Sequence, residues 1–521
     1  MESIGKKIIR NTVYNSMGRI WQMLVLLILT PYILHKLGVD LFAVWSLVFV
    51  VANYLGLLDF GVRTSFAKYI AEYHTKGDQE AINAVLNCGL VFYLGLSAII
   101  VGLTVILRGP IASLLSIPPA IYSQSMFAIL GMVLVFSLSN TFSIFEAVLV
   151  GLQRMDVQNK ILIIASFFNV GGTFFFLESG YGIRGLVINQ GIFTLVIVLL
   201  NAVFSRRLAP YLRLGLSRMR KDVFRKLFSF GTKMQICNFA VMVNSQADKI
   251  ILSHFLGLSF VTFYELGQKA ANAVRTFPML LLTALVPAVS ELDAGNDQER
   301  MMRLYHRGSK YVSLMVFPLI FFSILVARNV FDLWVGNGFG LAVLAFQILV
   351  IGYGINVLTG MGTSLVRGIG KPEYETKYAV LALVTQLVLS IVLVQVIGYR
   401  GVLISVLFTA VLAALYFLMT FHKLFDIGFS GFAKRVYVKP LLSSVFAAAI
   451  AFGAGSYLKS LIFFSSKWGR VVWLVLESFI FVICYLAALA KTSYLNRNEV
   501  ESVTVHLKPK LASRICSLLG Q

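Results

Sequence analysis

At 521 residues, 58% hydrophobic and only 13% charged, with a mean hydropathy of +0.83, the chain is too apolar to be a water-soluble enzyme with one large core. Its net charge of +22 raises nucleic acid as a partner, but the basic residues fall in the connections between long apolar runs, which argues for a membrane and against nucleic acid. Four isolated cysteines without CxxC spacing, six scattered histidines without an HExxH pair, and no GxxxxGK loop leave neither a disulfide framework, a zinc site nor an ATP-hydrolysing motif.

The basic start, Lys6, Lys7 and Arg10, runs into an apolar stretch too long for a cleavable leader, so 11–34 is read as a first retained span. That span carries a polar stripe of Asn11, Asn15, Arg19 and Gln22. Spans at 41–58, 83–107, 122–150, 161–177 and 185–205 follow, with Glu146 about one turn from the end of the fourth and showing no partner. Arg206 to Lys226 is the most basic connection and reads as a linker with an amphipathic stretch.

Spans seven (228–253) and eight (260–290) concentrate charge: Lys233, Asp248, Lys249, Glu265, Lys269 and Arg275. One charge at the centre of a membrane helix costs roughly 2.5–3.5 kcal/mol, so such groups pair, face a polar cavity, or serve function. Glu265, Lys269, Asn272 and Arg275 step by 4, 3 and 3 and share one face, with Gln268 at its edge. Two readings stay open for Glu265 and Lys269, a structural i,i+4 pair or part of a site. Asp248 and Lys249 lie near the outer end of span seven and could reach the interface with their polar tips; Lys233 could do so at the inner end. Asn244 shares the face of Asp248. Taken together with Arg19, the five cations outnumber the two carboxylates by three, which suits an anion.

Six more spans, 311–327, 339–362, 378–397, 402–422, 440–458 and 471–490, bring the number to fourteen. With the N-terminus cytoplasmic, alternate connections hold 32 Lys and Arg against 8 on the other side, and the remaining 5 of 45 lie within spans. That bias places both termini in the cytoplasm.

The two halves repeat. Leu37-Gly38-Val39 returns as Leu256-Gly257-Leu258, and Asp78-Gln79-Glu80 as Asp297-Gln298-Glu299, both at an offset of 219. Gly151 matches Gly368 at 217, and Gly182-Ile183-Arg184-Gly185 matches Gly398-Tyr399-Arg400-Gly401 at 216. Six spans per copy is an even number, so the copies run parallel, related by an axis along the membrane normal with a cavity between them. The expected organisation is all-α: a six-helix lobe at 1–215, a second at 216–430, and two further helices with a tail at 431–521.

On these features the chain resembles the Wzx-type polysaccharide (oligosaccharide repeat-unit, O-antigen) flippases of the multidrug/oligosaccharidyl-lipid/polysaccharide exporter superfamily. The stretches LDFGVRTSFAKYIAEY after span two and ADKIILSHFLGLSFVTFYELGQKA across spans seven and eight carry the resemblance. It implies a non-enzymatic transporter in the bacterial inner membrane that moves an undecaprenyl-pyrophosphate-linked oligosaccharide outward by alternating access. It also implies a proton or sodium gradient as drive, no bound cofactor, and polysaccharide polymerase and chain-length machinery as partners beside membrane lipids. Arg19, Lys269, Arg275 and Lys233 are then candidates for the headgroup, and Asn15, Gln22, Asn244, Gln268 and Asn272 for the sugar. Asp248, Glu265 and Glu146 are candidates for the coupling ion. A peptidoglycan-precursor flippase, a cation-coupled drug exporter and a membrane glycan polymerase or ligase remain as alternatives; the short outer loops disfavour the last.

Overall fold

The structure, a computed structural model, describes residues 4–59, 62–215, 220–283, 297–461, 467–492 and 494. Among them there is no β-strand, and eleven helices are long and apolar enough to cross a membrane. One of the eleven, Ile20–Gly56, covers most of both of the first two expected spans, 11–34 and 41–58. The other ten correspond to spans three to six and nine to fourteen. Spans seven and eight are the helices α9 (Lys221–Leu256) and α10 (Leu258–Thr283). The charges they hold keep them outside a purely apolar criterion. The amphipathic stretch expected before span seven is the first two turns of α9.

The helix α1 (Ile4–Gly56) is broken at Gly38, with φ 77° and ψ 173°, and α9 ends at Gly257, with φ 96° and ψ 173°. That backbone region is open essentially to glycine alone, so each glycine lets one span turn directly into the next. The two glycines are 219 residues apart, and other landmarks repeat with them. Asp78 caps α3 (Gln79–Ile106) by accepting from Ala81 N; Asp297 caps α11 (Gln298–Trp334) by accepting from Arg300 N. The helix pair Tyr122–Thr141 and Ser143–Gly151 (α5 and α6) is matched by Gly340–Leu358 and Gly360–Gly368 (α12 and α13), both broken by one residue. Gly182 and Gly398 both take positive φ. The sequence repeat is therefore also a repeat of turn and cap geometry.

The chain forms two compact units, Met1–Glu265 with Gln386–Val402, and Leu266–Thr385 with Leu403–Gln521. In the first, Phe66, Ile70, Val85, Tyr93, Phe145 and Val148 form the core. The connection after α8 (Gly182–Leu208) is fastened to the same unit. Asn83 and Asn87, one turn apart on α3, each bond one backbone N–H and one C=O of residues 211–215, at 2.6–3.0 Å. The second unit is built on Tyr305, Val312, Val316, Met361, Phe417 and Phe421. A further cluster (Ala447, Ala451, Phe481, Tyr485) joins α17 (Lys439–Leu461) to α18 (Lys467–Lys491), both packed on α11. Large apolar side chains such as Ile106, Phe175, Val396 and Phe479 stand exposed around the outside. In water this surface would aggregate; in a bilayer it is the lipid-facing surface.

Candidate functional site

The elbow at Gly257 folds α10 back along α9. Asp248, eight residues before Leu256, lies about 12 Å below the elbow at 1.5 Å per residue, and Glu265, seven residues after Leu258, about 10 Å below it. The two charged stretches therefore meet within the first unit. Asp248 is only 2% exposed and accepts three hydrogen bonds: from Tyr264 Oη at 2.7 Å, Gln386 Nε2 at 2.9 Å and Ser390 Oγ at 3.1 Å. Lys249, 5% exposed, forms an ion pair with Glu265 at 2.5 Å and donates to Gln246 Oε1 at 3.1 Å. Here the structure differs from the interfacial reading of Asp248 and Lys249. Their nearness to the helix end does not bring them to water, because α10 and the end of α14 (Glu373–Ile397) cover them. Three donors on one carboxylate offset part of the cost of burying it.

Nearer the elbow, hydroxyls close a second set of contacts. Ser259 Oγ donates to Asp40 Oδ1 at 3.0 Å and Thr262 Oγ1 to the Val39 carbonyl at 2.7 Å. Positions 40 and 259 are themselves 219 apart, so equivalent turns of the two repeats touch each other. Ser253 Oγ donates to the Leu115 carbonyl at 2.6 Å, tying the end of the short helix Arg108–Leu114 to the same place.

The C-terminal part of α10, from Leu266, belongs to the second unit. Arg275, 17 residues beyond Leu258, stands about 26 Å from the elbow. Its Nη2 donates to Asn356 Oδ1 at 2.8 Å, and its guanidinium carbon lies 5.4 Å from the centre of the Tyr353 ring. Asn356 Nδ2 in turn donates to Tyr378 Oη, and Gln268 Nε2 to Tyr353 Oη at 3.3 Å. Tyr353 and Asn356, one turn apart on α12, thus orient one guanidinium beside a narrow cleft lined by Pro278, Val316, Ile320 and Val350.

Of the expected site residues, the structure brings Gln268 and Arg275 around one tyrosine. It sets Asp248 and Glu265 together near the elbow at Gly257. Lys269 is half-buried, whereas Asn272 and Gln22 are exposed. Glu146, expected to stand alone, accepts from Gln158 Nε2 at 2.6 Å. The side chains of Asn15, Arg19, Lys233 and Asn244 lie outside the described residues. The backbone beside Arg19 is nonetheless closely packed: a Cβ on Gly18 would stand 2.5 Å from Asn159 Oδ1, and Trp21 Nε1 donates to Ser166 Oγ at 2.6 Å. Gln386, Ser390, Tyr353 and Asn356 were missed. The available signal was a Gln and a Ser one turn apart in the largely apolar eleventh span, and a Tyr–Asn pair three apart in the tenth.

Comparison with known proteins agrees with this architecture. A family described as "Polysaccharide biosynthesis protein" matches residues 87–344. The chain is 22% identical over 413 residues to the "Putative O-antigen transporter" of Shigella flexneri, covering 78% of this chain and 96% of that one. It is 23% identical over 364 residues to the "Probable low-salt glycan biosynthesis flippase Agl15" of Haloferax volcanii, covering 67% and 69% respectively. Among solved structures, "Lipid II flippase MurJ, inward closed conformation" superposes with a TM-score of 0.67 over 92% of this chain and 98% of that one, at 14% identity, a likeness of fold. The chain is a multi-pass membrane protein with the fold of these transporters, and its residues 87–344 are similar to the family described as polysaccharide biosynthesis protein.

Proposed function

We propose that this protein is a flippase that carries polyprenyl-pyrophosphate-linked oligosaccharide repeat units from the cytoplasmic to the periplasmic leaflet of the bacterial inner membrane. Arg275 carries the reading. It is a single guanidinium, oriented by Tyr353 and Asn356, at a depth that an N-in topology places toward the cytoplasmic leaflet, where the substrate is made. A pyrophosphate crossing a low-dielectric region needs a cation, and guanidinium offers fixed, fork-like donors where ammonium offers a point charge. Lys269 and Arg19 are proposed as its companions, with Gln268 on the sugar side. Relatives named as an O-antigen transporter and a glycan flippase support the substrate class.

In the same reading the repeats, lobes 1–215 and 216–430, alternate access about their common axis. The contacts of Val39 and Asp40 with Thr262 and Ser259 close the periplasmic side. Asp248, with Tyr264, Gln386 and Ser390, is the proposed coupling-ion site, since a buried carboxylate ringed by neutral oxygens and amides is a place where a proton or sodium ion could trade with hydrogen bonds. A peptidoglycan-precursor flippase would use the same pyrophosphate chemistry, so a strain test separates the two. Arg275→Ala should abolish surface polysaccharide in a flippase-deletion strain at unchanged protein level, with wild-type protein restoring it. Full rescue by Arg275→Ala, or rescue by the wild type of a peptidoglycan-precursor flippase deletion alone, would overturn the assignment.

A further inference from the structure

α11 carries a proline in its interior. Pro318 has no N–H, so the carbonyl of Leu314, one turn back, loses its regular helical donor, and the proline ring crowds that carbonyl. Helices bend at such places. The missing donor comes from another helix: Tyr485 Oη, on the buried face of α18, donates to the Leu314 carbonyl at 3.0 Å. The preceding residue is fastened as well. Ser313 Oγ and Tyr494 Oη lie 3.2 Å apart, and each is 2.8 Å from the Val436 carbonyl in the π-helical turn Lys434–Val438. Beyond the proline, Phe322 packs on Phe481 with ring centres 5.4 Å apart. α18 therefore grips α11 on both sides of Pro318.

The first repeat carries no proline at that place. At the offset of 219, Pro318 falls on Ile99 of α3, which stands exposed together with Leu94 and Leu103. The proline and the helix that covers it occur together, in one copy of the repeat. On its other side the same stretch of α11 reaches the arginine. Val316 and Ile320, which flank Pro318, line the wall beside Arg275. Gly354 of α12 is so close that a Cβ there would stand 2.3 Å from Ile320 Cδ1 and 3.3 Å from Val316 Cγ1. Close-packed interiors transmit strain, so a change of bend at Pro318 reaches α12, whose Tyr353 and Asn356 orient the guanidinium.

Resting on the alternating-access reading, we propose that Tyr485 is a positioning residue for transport. Its hydroxyl sets the bend of α11 at Pro318 and, through Val316, Ile320 and α12, the placement of Arg275. The last helix, outside the repeats, is a splint across that bend.

The test is a cycle of Tyr485→Phe and Pro318→Ala in the full chain in nanodiscs, with the four cysteines replaced. Spin labels are placed at Arg303→Cys and Arg328→Cys, exposed positions toward the two ends of α11. A straight helix would hold them about 37 Å apart, a separation that pulsed electron paramagnetic resonance reads. Tyr485→Phe should broaden the distance distribution, and Pro318→Ala should narrow it near the straight-helix value. Adding Tyr485→Phe to Pro318→Ala should change nothing further, because the alanine N–H again serves the Leu314 carbonyl. Glycan-lipid transfer in proteoliposomes should fall about fivefold in Tyr485→Phe, equivalent to ~1 kcal/mol, with thermal unfolding showing that the variant is folded. A wild-type distance distribution in Tyr485→Phe overturns the proposal. An equal effect of Tyr485→Phe with and without Pro318 also overturns it, as does transfer by Tyr485→Phe at the wild-type rate. In each of these cases transfer by the wild type keeps the flippase reading. A wild type that moves no glycan lipid, with distances responding as described, removes the flippase reading and leaves Tyr485 as the residue that sets the bend.

Discussion

If the repeats alternate access as proposed, removing two hydroxyls near the elbow at Gly257 should shift the balance between inward- and outward-open states. The double variant Ser259→Ala and Thr262→Val deletes the bonds to Asp40 Oδ1 and to the Val39 carbonyl. Each such bond contributes about 0.5–1.5 kcal/mol net, and the one to a carboxylate belongs at the upper end. If the two act independently, about 1–3 kcal/mol of preference for the outward-closed state is lost. Tenfold corresponds to 1.4 kcal/mol, so the outward-open population rises roughly 5- to 150-fold. The assay is labelling of Asn272→Cys by a membrane-impermeant maleimide applied from the periplasmic side, with Cys88, Cys237, Cys484 and Cys516 replaced. Position 272 is exposed and lies about 21 Å along α10 from the elbow, so in the proposed alternating-access reading the reagent reaches it through an opened outer side. While the open state is scarce, the labelling rate follows its population, and a rise of at least about fivefold is expected. A labelling rate unchanged from the parent would show that these contacts do not hold the outer side shut.

The ion pair of Lys249 and Glu265 predicts an asymmetry of stability. Lys249→Met alone removes the cation held against a buried carboxylate and should destabilise by about 3–5 kcal/mol at most, whereas adding Glu265→Leu should recover most of that; thermal unfolding in detergent reads the difference, and equal melting of single and double variants would contradict it. Asp248→Ala removes the acceptor shared by Tyr264, Gln386 and Ser390, so it should lower melting temperature as well as transport. Asp248→Asn keeps the shape and should lose transport with less loss of stability; normal glycan export by Asp248→Asn would end the ion-coupling role given to that carboxylate.

Much of the fold was legible because it rests on local chemistry. Continuous apolar runs locate the spans, and Gly38 with Gly257 and Asp78 with Asp297 mark turns and caps whose requirements are set within a few residues. The repeat could be read for the same reason. The site was legible in kind but not in grouping. Sequence placed Glu265, Lys269, Asn272 and Arg275 on one face, but a helix of 26 residues crosses from one environment to another, and the two ends of that face serve different neighbourhoods. Asp248 and Lys249 looked interfacial because sequence shows only their distance from a helix end. What buries them comes from the helix after the elbow and from Gln386 and Ser390, about 140 residues away along the chain. Tyr353 and Asn356 were invisible as partners of Arg275 because aromatic and amide side chains in an apolar span are ordinary until something faces them.

The central claim is that an oriented guanidinium on α10 moves a pyrophosphate-linked glycan between leaflets. Its most direct measurement is the initial rate at which purified protein in proteoliposomes transfers a polyprenyl-pyrophosphate-linked oligosaccharide from inner to outer leaflet, read by a lectin that cannot enter. The account predicts transfer well above that of protein-free liposomes for the wild type, and loss of nearly all of it in Arg275→Ala. Transfer by the wild type no faster than in empty liposomes, or equal rates for wild type and Arg275→Ala, would contradict it.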